Sequence, residues 1–175
     1  MSEQLELGPC QIWYGTAGAE VDLGSTQAIK LTISMDTADL MTAQNGTRPY
    51  DQVITGMGAE IEAPLADLDI DKMATVLPGA TLINGATAGQ QILKIAASVG
   101  TTLRSYAKSL ILKRIVGDVA STDRNDWWTF PITAFVTNLE LTFDAATQRN
   151  INALFRVFPD ATTRLLGYRG HSALL

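Results

Sequence analysis

Between positions 29 and 35 apolar and polar residues alternate without a break: Ile29, Leu31, Ile33 and Met35 fall on one side, Lys30, Thr32 and Ser34 on the other. A period of two suits a strand with one covered face; a helix would need its apolar residues three or four positions apart. The rhythm returns from 53 to 65, where Ala59, Ile61 and Ala63 share a face and Glu60 and Glu62 the opposite one. Shorter runs of the same character lie at 10–14, 91–98, 106–115, 127–136, 139–143 and 151–158. Turn formers separate them at Gly15, Gly18, Gly100, Gly117, Asn125, Asn138 and Asp144. Roughly eight strands in one chain predict a mainly β fold, a β-sandwich or barrel with one or two short helices.

The one helical pattern is Ile70, Met73, Ala74 and Leu77, spaced i, i+3, i+4 and i+7, with Asp69 placed to cap its start and Pro78 and Gly79 to stop it. About two turns cannot stand alone in water, so this helix must pack on a sheet. Between the two best strands, positions 36–52 are polar and carry the turn signals Asn45, Gly46 and Pro49. They read as a long loop, and long loops in compact domains carry function or lack order. No composition break, repeat or linker interrupts 1–175, so the chain reads as a single domain.

Composition narrows the function. Charged residues are 18% of the 175, below the ~25% of a typical soluble domain. That shortfall predicts surface buried against partners. A net charge of −5 disfavours binding to phosphates. With Cys10 as the one cysteine, neither an intrachain disulfide nor a paired-cysteine metal site can form. No apolar run approaches the ~18 residues of a helical membrane span, so no membrane partner is expected. The acidic opening lacks a signal peptide's basic and apolar regions, which predicts synthesis and folding in a cytoplasm.

Catalytic chemistry is sparse. His171, the one histidine, sits in the C-terminal tail, and Cys10 lies in a strand, with no second group to activate either. Asp67, Asp69 and Asp71 mimic the start of a calcium loop, but Lys72 and Pro78 stand where that loop needs Gly and Glu. Glu60 and Glu62 would lie roughly 6.6–7 Å apart along a strand, a spacing a glycosidase can use. Without nearby aromatics for a sugar, they read instead as a polar strand face. Lys108, Lys113 and Arg114 are the basic cluster and read as the outer or interface face of a strand. Trp127 and Trp128, being adjacent, must face opposite sides of their strand, so a second covered surface is expected beside the core. No enzyme activity and no cofactor are expected.

The order of these features resembles one family. Gly8 to Gly15 gives a first strand containing Cys10-Gln-Ile-Trp-Tyr14, and Val21-Asp-Leu-Gly-Ser-Thr26 leads into the alternating strand 29–35. The long polar loop, the acidic strand after Val53-Ile-Thr-Gly56, the short helix ending at Leu77-Pro-Gly79, and a last strand closing in Phe158-Pro-Asp160 complete it. Together they resemble the major tail tube proteins of tailed bacteriophages, over nearly the whole chain, in element order and local pattern.

The resemblance implies a virion protein of the phage tail, made in the host cytoplasm. Its protomers would join as hexameric rings whose strands form a continuous inner β-barrel, and the rings would stack into a tube for genome delivery. A tape measure, a tail terminator and baseplate or tip proteins would be its partners, with DNA passing transiently and without sequence preference. The strands flanking the loop would line the channel, making Lys30, Thr32, Ser34, Glu60 and Glu62 lumen-facing. Asp39, Gln44, Asn45, Arg48, Tyr50 and Asp51 would belong to an arm that reaches a neighbouring subunit or ring. Two alternatives remain open: a tube protein of a type VI-like secretion system, and a small monomeric β-barrel that binds a ligand.

Overall fold

The computed structural model describes residues 9–24, 28–41, 48–66, 69–97, 99–137 and 151–174. The chain opens with β1 (Cys10–Thr16) and a tight return into β2 (Ala19–Asp22), then runs through the long pair β3 (Lys30–Leu40) and β4 (Asp51–Leu65). Helix α1 (Ile70–Val76) and a ribbon of β5 (Ala80–Asn84) and β6 (Gln91–Ile95) follow. The remaining strands are β7 (Lys108–Val116), β8 (Val119–Ala120), β9 (Trp127–Phe135), β10 (Ile151–Val157) and β11 (Tyr168–Arg169). The fold is mainly β: a sheet curled into a half-barrel, with one α-helix among the described residues.

The main sheet has the order β2-β1-β7-β9-β10-β4-β3, every pair antiparallel, with β8 added to β7 and β11 to β9. Chain-adjacent strands pair at both ends, as β1 with β2 and β3 with β4. The centre is assembled from strands distant in sequence, such as β10 against β4. At the β7–β8 return both Gly117 and Asp118 have positive φ, 58° and 64°. This is the conformation of a two-residue hairpin turn matched to strand twist, and it explains a Gly-Asp pair there.

Alternation is the reason one face of this sheet is a core. Ile12 and Tyr14 on β1, Ala59, Ile61 and Ala63 on β4, Leu110 and Leu112 on β7, and Ala153, Phe155 and Val157 on β10 are all buried and form one cluster. Phe155 lies at its middle, its ring 5.1 Å from that of Tyr14 and 5.7 Å from that of Phe135. The buried Tyr14 hydroxyl donates to the Thr133 carbonyl at 3.1 Å, which satisfies the one polar atom of that side chain. Burial also holds the phenol's pKa above its ordinary value.

Helix α1 follows its sequence signals. The Asp69 carboxylate accepts from the Lys72 N–H at 3.0 Å, and Val76 enters the core. The Lys108 ammonium donates to the Thr75 carbonyl at 2.7 Å, tying the helix end to β7.

Several expectations change. The segment 36–52 is not one loop: 36–40 extend β3 and 51–52 begin β4, paired from Asp36↔Gly56 to Leu40↔Asp51. The ladder satisfies the main chain there, while both faces stay in solvent, so no apolar alternation announces the strand. The strand read at 106–115 starts at Lys108, because 103–106 form a 3-10 turn. Strands β2, β5, β8 and β11 have five residues or fewer and carry no long alternation. The strand read at 139–143 and the aspartate at Asp67 lie outside the described residues.

The basic cluster is divided. Lys108 turns toward the helix and lies 5.9 Å from the Tyr14 ring, whereas the Lys113 ammonium sits 3.6 Å from the Trp13 ring and 4.2 Å from that of Trp127. Burial depresses the pKa of both lysines; for Lys113, Glu20 and Asp22 act in the opposite direction. The two tryptophans do part as their spacing requires. Trp128 stacks on Phe130 with ring centroids 6.5 Å apart and packs against the core, while Trp127 joins Lys113 on the other face.

Candidate assembly surface

Among the described residues, strand β3 is one border of the sheet. Its eleven residues contain no proline, and Lys30 is its one cation. A strand with a free border offers a row of main-chain donors and acceptors to any incoming strand, and natural edges are usually blunted by short length, lysine or proline. β3 is long instead. β2, the opposite border, has four residues.

The β3–β4 hairpin has two distinct faces, set by register. On one lie the pairs Leu31↔Ile61, Ile33↔Ala59 and Met35↔Met57, a direct continuation of the core face. Ala59 and Ile61 are buried, but Ile33, Met35 and Met57 are more than half exposed, because nothing among the described residues packs over them. Past a β-bulge between Asp36 and Thr37, the ribbon continues with Ile54 and Val53, then Leu40, Met41 and Tyr50, all exposed. Among the described residues, eight of the sixteen exposed large hydrophobics belong to this hairpin. Val53 and Leu40 are out of phase with Ile54 and fall on the opposite face, so the apolar side of the ribbon is carried by Ile33, Met35, Ile54 and Met57.

The opposite face carries the five residues expected to be lumen-facing. Lys30 pairs with Glu62, Thr32 with Glu60 and Ser34 with Gly58. Gly58 and Gly56 leave the space the β3 side chains use: a Cβ at Gly58 would lie 3.3 Å from Ser34 Oγ, and one at Gly56 3.3 Å from Asp36 Oδ2. The face is not purely acidic. Arg156 on β10, directly opposite Glu60, places Nη2 at 2.7 Å and Nε at 3.0 Å from the same carboxylate oxygen. Lys30 Nζ lies 3.8 Å from Glu62 Oε2. With both carboxylates beside cations, these four residues are charge-balanced, and the ladder they form is bordered by Asp36.

Arg156 is the residue of this face that sequence alone missed. Alternation along 151–157 was sufficient to turn it outward with Asn152; that β10 pairs with β4 was not readable locally. Beside these residues, a groove of about 560 Å³ opens between Lys30, Glu62, Pro64, Asn152 and Leu154.

Of the arm candidates, Asp39 and Asp51 are strand residues rather than loop residues. The Gln52 amide donates to Asp39 at 2.8 Å across the ladder, and the Tyr50 N–H to the Leu40 carbonyl at 2.8 Å. Tyr50 is 70% exposed and Arg48 is exposed beside it. Gln44 and Asn45 lie outside the described residues. No group of three or more His, Cys, Asp or Glu side chains able to hold a metal occurs among the described residues, and none of their helices is long and apolar enough to cross a membrane. The chain matches no protein-family model and no curated protein sequence.

Proposed function

We propose that this chain is a structural subunit that assembles with copies of itself and not an enzyme. The observation that carries the reading is the β3–β4 hairpin: an eleven-residue strand at the sheet border of the described residues, beside an exposed apolar face that continues the core. A two-stranded ribbon alone is marginal in water, and exposed borders invite pairing. A second copy satisfies both needs, because strand addition along β3 extends the sheet while the apolar face is covered. Where β3 of one protomer meets a different surface of the next, the contact is heterologous and closes into a ring or grows without limit, whereas β3 against β3 would stop at a twofold dimer.

The family resemblance supplies the specific form: hexameric rings stacked into the tail tube of a bacteriophage, with the ladder of Lys30, Thr32, Ser34, Glu60, Glu62 and Arg156 toward the channel. A charge-balanced wall with glycine steps suits a passing polyanion, since it offers phosphates neither a run of free cations nor a bulky obstacle. Tape measure, terminator and baseplate proteins would then meet the tube at its core and ends. Electron microscopy of the purified chain across a concentration series tests the proposal. Rings or hollow tubes are the expected result; a species that stays monomeric at the highest concentration overturns it.

A further inference from the structure

The chain has five methionines, and three of them, Met35, Met41 and Met57, lie on the β3–β4 hairpin. They are 55%, 58% and 53% exposed. Met35 and Met57 are direct cross-strand partners, so their thioethers project side by side from the apolar face that leaves the core. Met73, by contrast, is half-buried on α1. Thioethers suit adaptable contact surfaces because they are flexible and polarisable. They also react with oxidants wherever they remain open to solvent.

We propose that Met35 and Met57 form a modification site whose oxidation state controls assembly; this rests on the self-assembly reading above. The oxidant class is a hydroperoxide. The sulfur lone pair attacks one peroxide oxygen and the O–O bond breaks. Sulfur gains that oxygen and is oxidised by two electrons; the other oxygen, now reduced, leaves with the proton that the transferred oxygen gives up, as water when the oxidant is hydrogen peroxide. Each event turns an apolar side chain into a strong hydrogen-bond acceptor. On the free protomer the sulfoxide oxygens remain in water, so the fold is kept. A second copy covering this face would bury them without donors, which disfavours the covered state. Assembly in turn shields the sulfurs, so finished assemblies resist the oxidant that disables free protomers.

The test exposes dissociated full-length chain to hydrogen peroxide. Peptide mass mapping locates added oxygen, circular dichroism follows the fold, and sedimentation with electron microscopy reads assembly. The expected result is oxygen on Met35 and Met57, an unchanged dichroism spectrum and loss of the assembled fraction. The triple variant M35L/M41L/M57L should assemble and keep its assembled fraction after the same treatment. Because that variant could assemble poorly for reasons of packing, oxygen uptake is also compared at Met35 and Met57 in assembled and dissociated wild-type protein, with slower uptake expected in the assembly. Wild-type chain that carries oxygen at both positions and assembles as before overturns the proposal, as does equal uptake in the two states. Untreated protein that never assembles overturns the self-assembly reading, and the proposal with it.

Discussion

Replacing Ile54 by aspartate separates the stability of the protomer from the strength of its self-association. Ile54 lies beyond the bulge, paired with Thr37, and is 55% exposed. Its uncovered surface of roughly 100 Å², at ~25 cal/mol per Å², would contribute about 2.5 kcal/mol to each contact that buries it. Losing that alone weakens the contact about sixtyfold. A buried carboxylate without a partner adds a desolvation cost of several kcal/mol, so Ile54→Asp should prevent assembly at any practical concentration. The protomer should barely notice. Ile54 is not part of the buried core, and exposed substitutions of this kind change stability by ~0.5 kcal/mol, with at most ~1 kcal/mol more for strand preference. Sedimentation velocity over a concentration series reads association, and urea denaturation reads the fold. Ile54→Val, which keeps most of the apolar surface, should assemble nearly as wild type does. If Ile54→Asp assembles at the wild-type concentration, the hairpin is not the contact surface and the argument from its exposed residues is wrong.

Other substitutions address the fold and the polar face. Phe155→Ala removes the ring between Tyr14 and Phe135 and should destabilise the protomer by about 3–5 kcal/mol, visible as a large drop in urea midpoint. Arg156→Gln breaks a partly exposed pair and should cost under ~1 kcal/mol, less at high salt; a larger loss would mean that the Glu60 contact is much less solvated than its geometry indicates. Gly167→Ala would press a methyl group against the Phe130 ring and to within 2.9 Å of the Thr129 carbonyl, for an expected loss of about 1–3 kcal/mol; unchanged thermal unfolding would contradict that packing. The Asp160 carboxyl is held below its ordinary pKa, first by the N–H of Thr163, then by that of Thr162 and the Thr163 hydroxyl. Since the folded state favours the ionised form, its contribution is complete above the unfolded value of ~3.9 and disappears as pH falls through the lower folded value. Urea midpoints of wild type and Asp160→Asn should therefore converge on acidification, and a constant gap would refute the assignment.

Period-two alternation was enough to locate β1, β3, β4, β7, β9 and β10 and to separate the two faces of β3 and β4, because a half-buried strand parts apolar from polar side chains at every step. It therefore also grouped Lys30, Thr32, Ser34, Glu60 and Glu62 on one face, and the cap at Asp69 set the start of α1. The distal hairpin escaped the same logic: with solvent on both sides, 36–40 have no reason to alternate, and a ladder of main-chain hydrogen bonds alone makes them strand. Tertiary structure decided what local pattern cannot carry. Pairing between β4 and β10, separated by most of the chain, brought Arg156 to Glu60 and converted an acidic pair into a balanced ladder. The same non-local order put β3 at the border of the described sheet, leaving Ile33, Met35 and Met57 on a core-type face with no described residue packed over them. Burial pattern is a property of each strand, but the neighbour a strand receives, or lacks, is a property of the whole sheet.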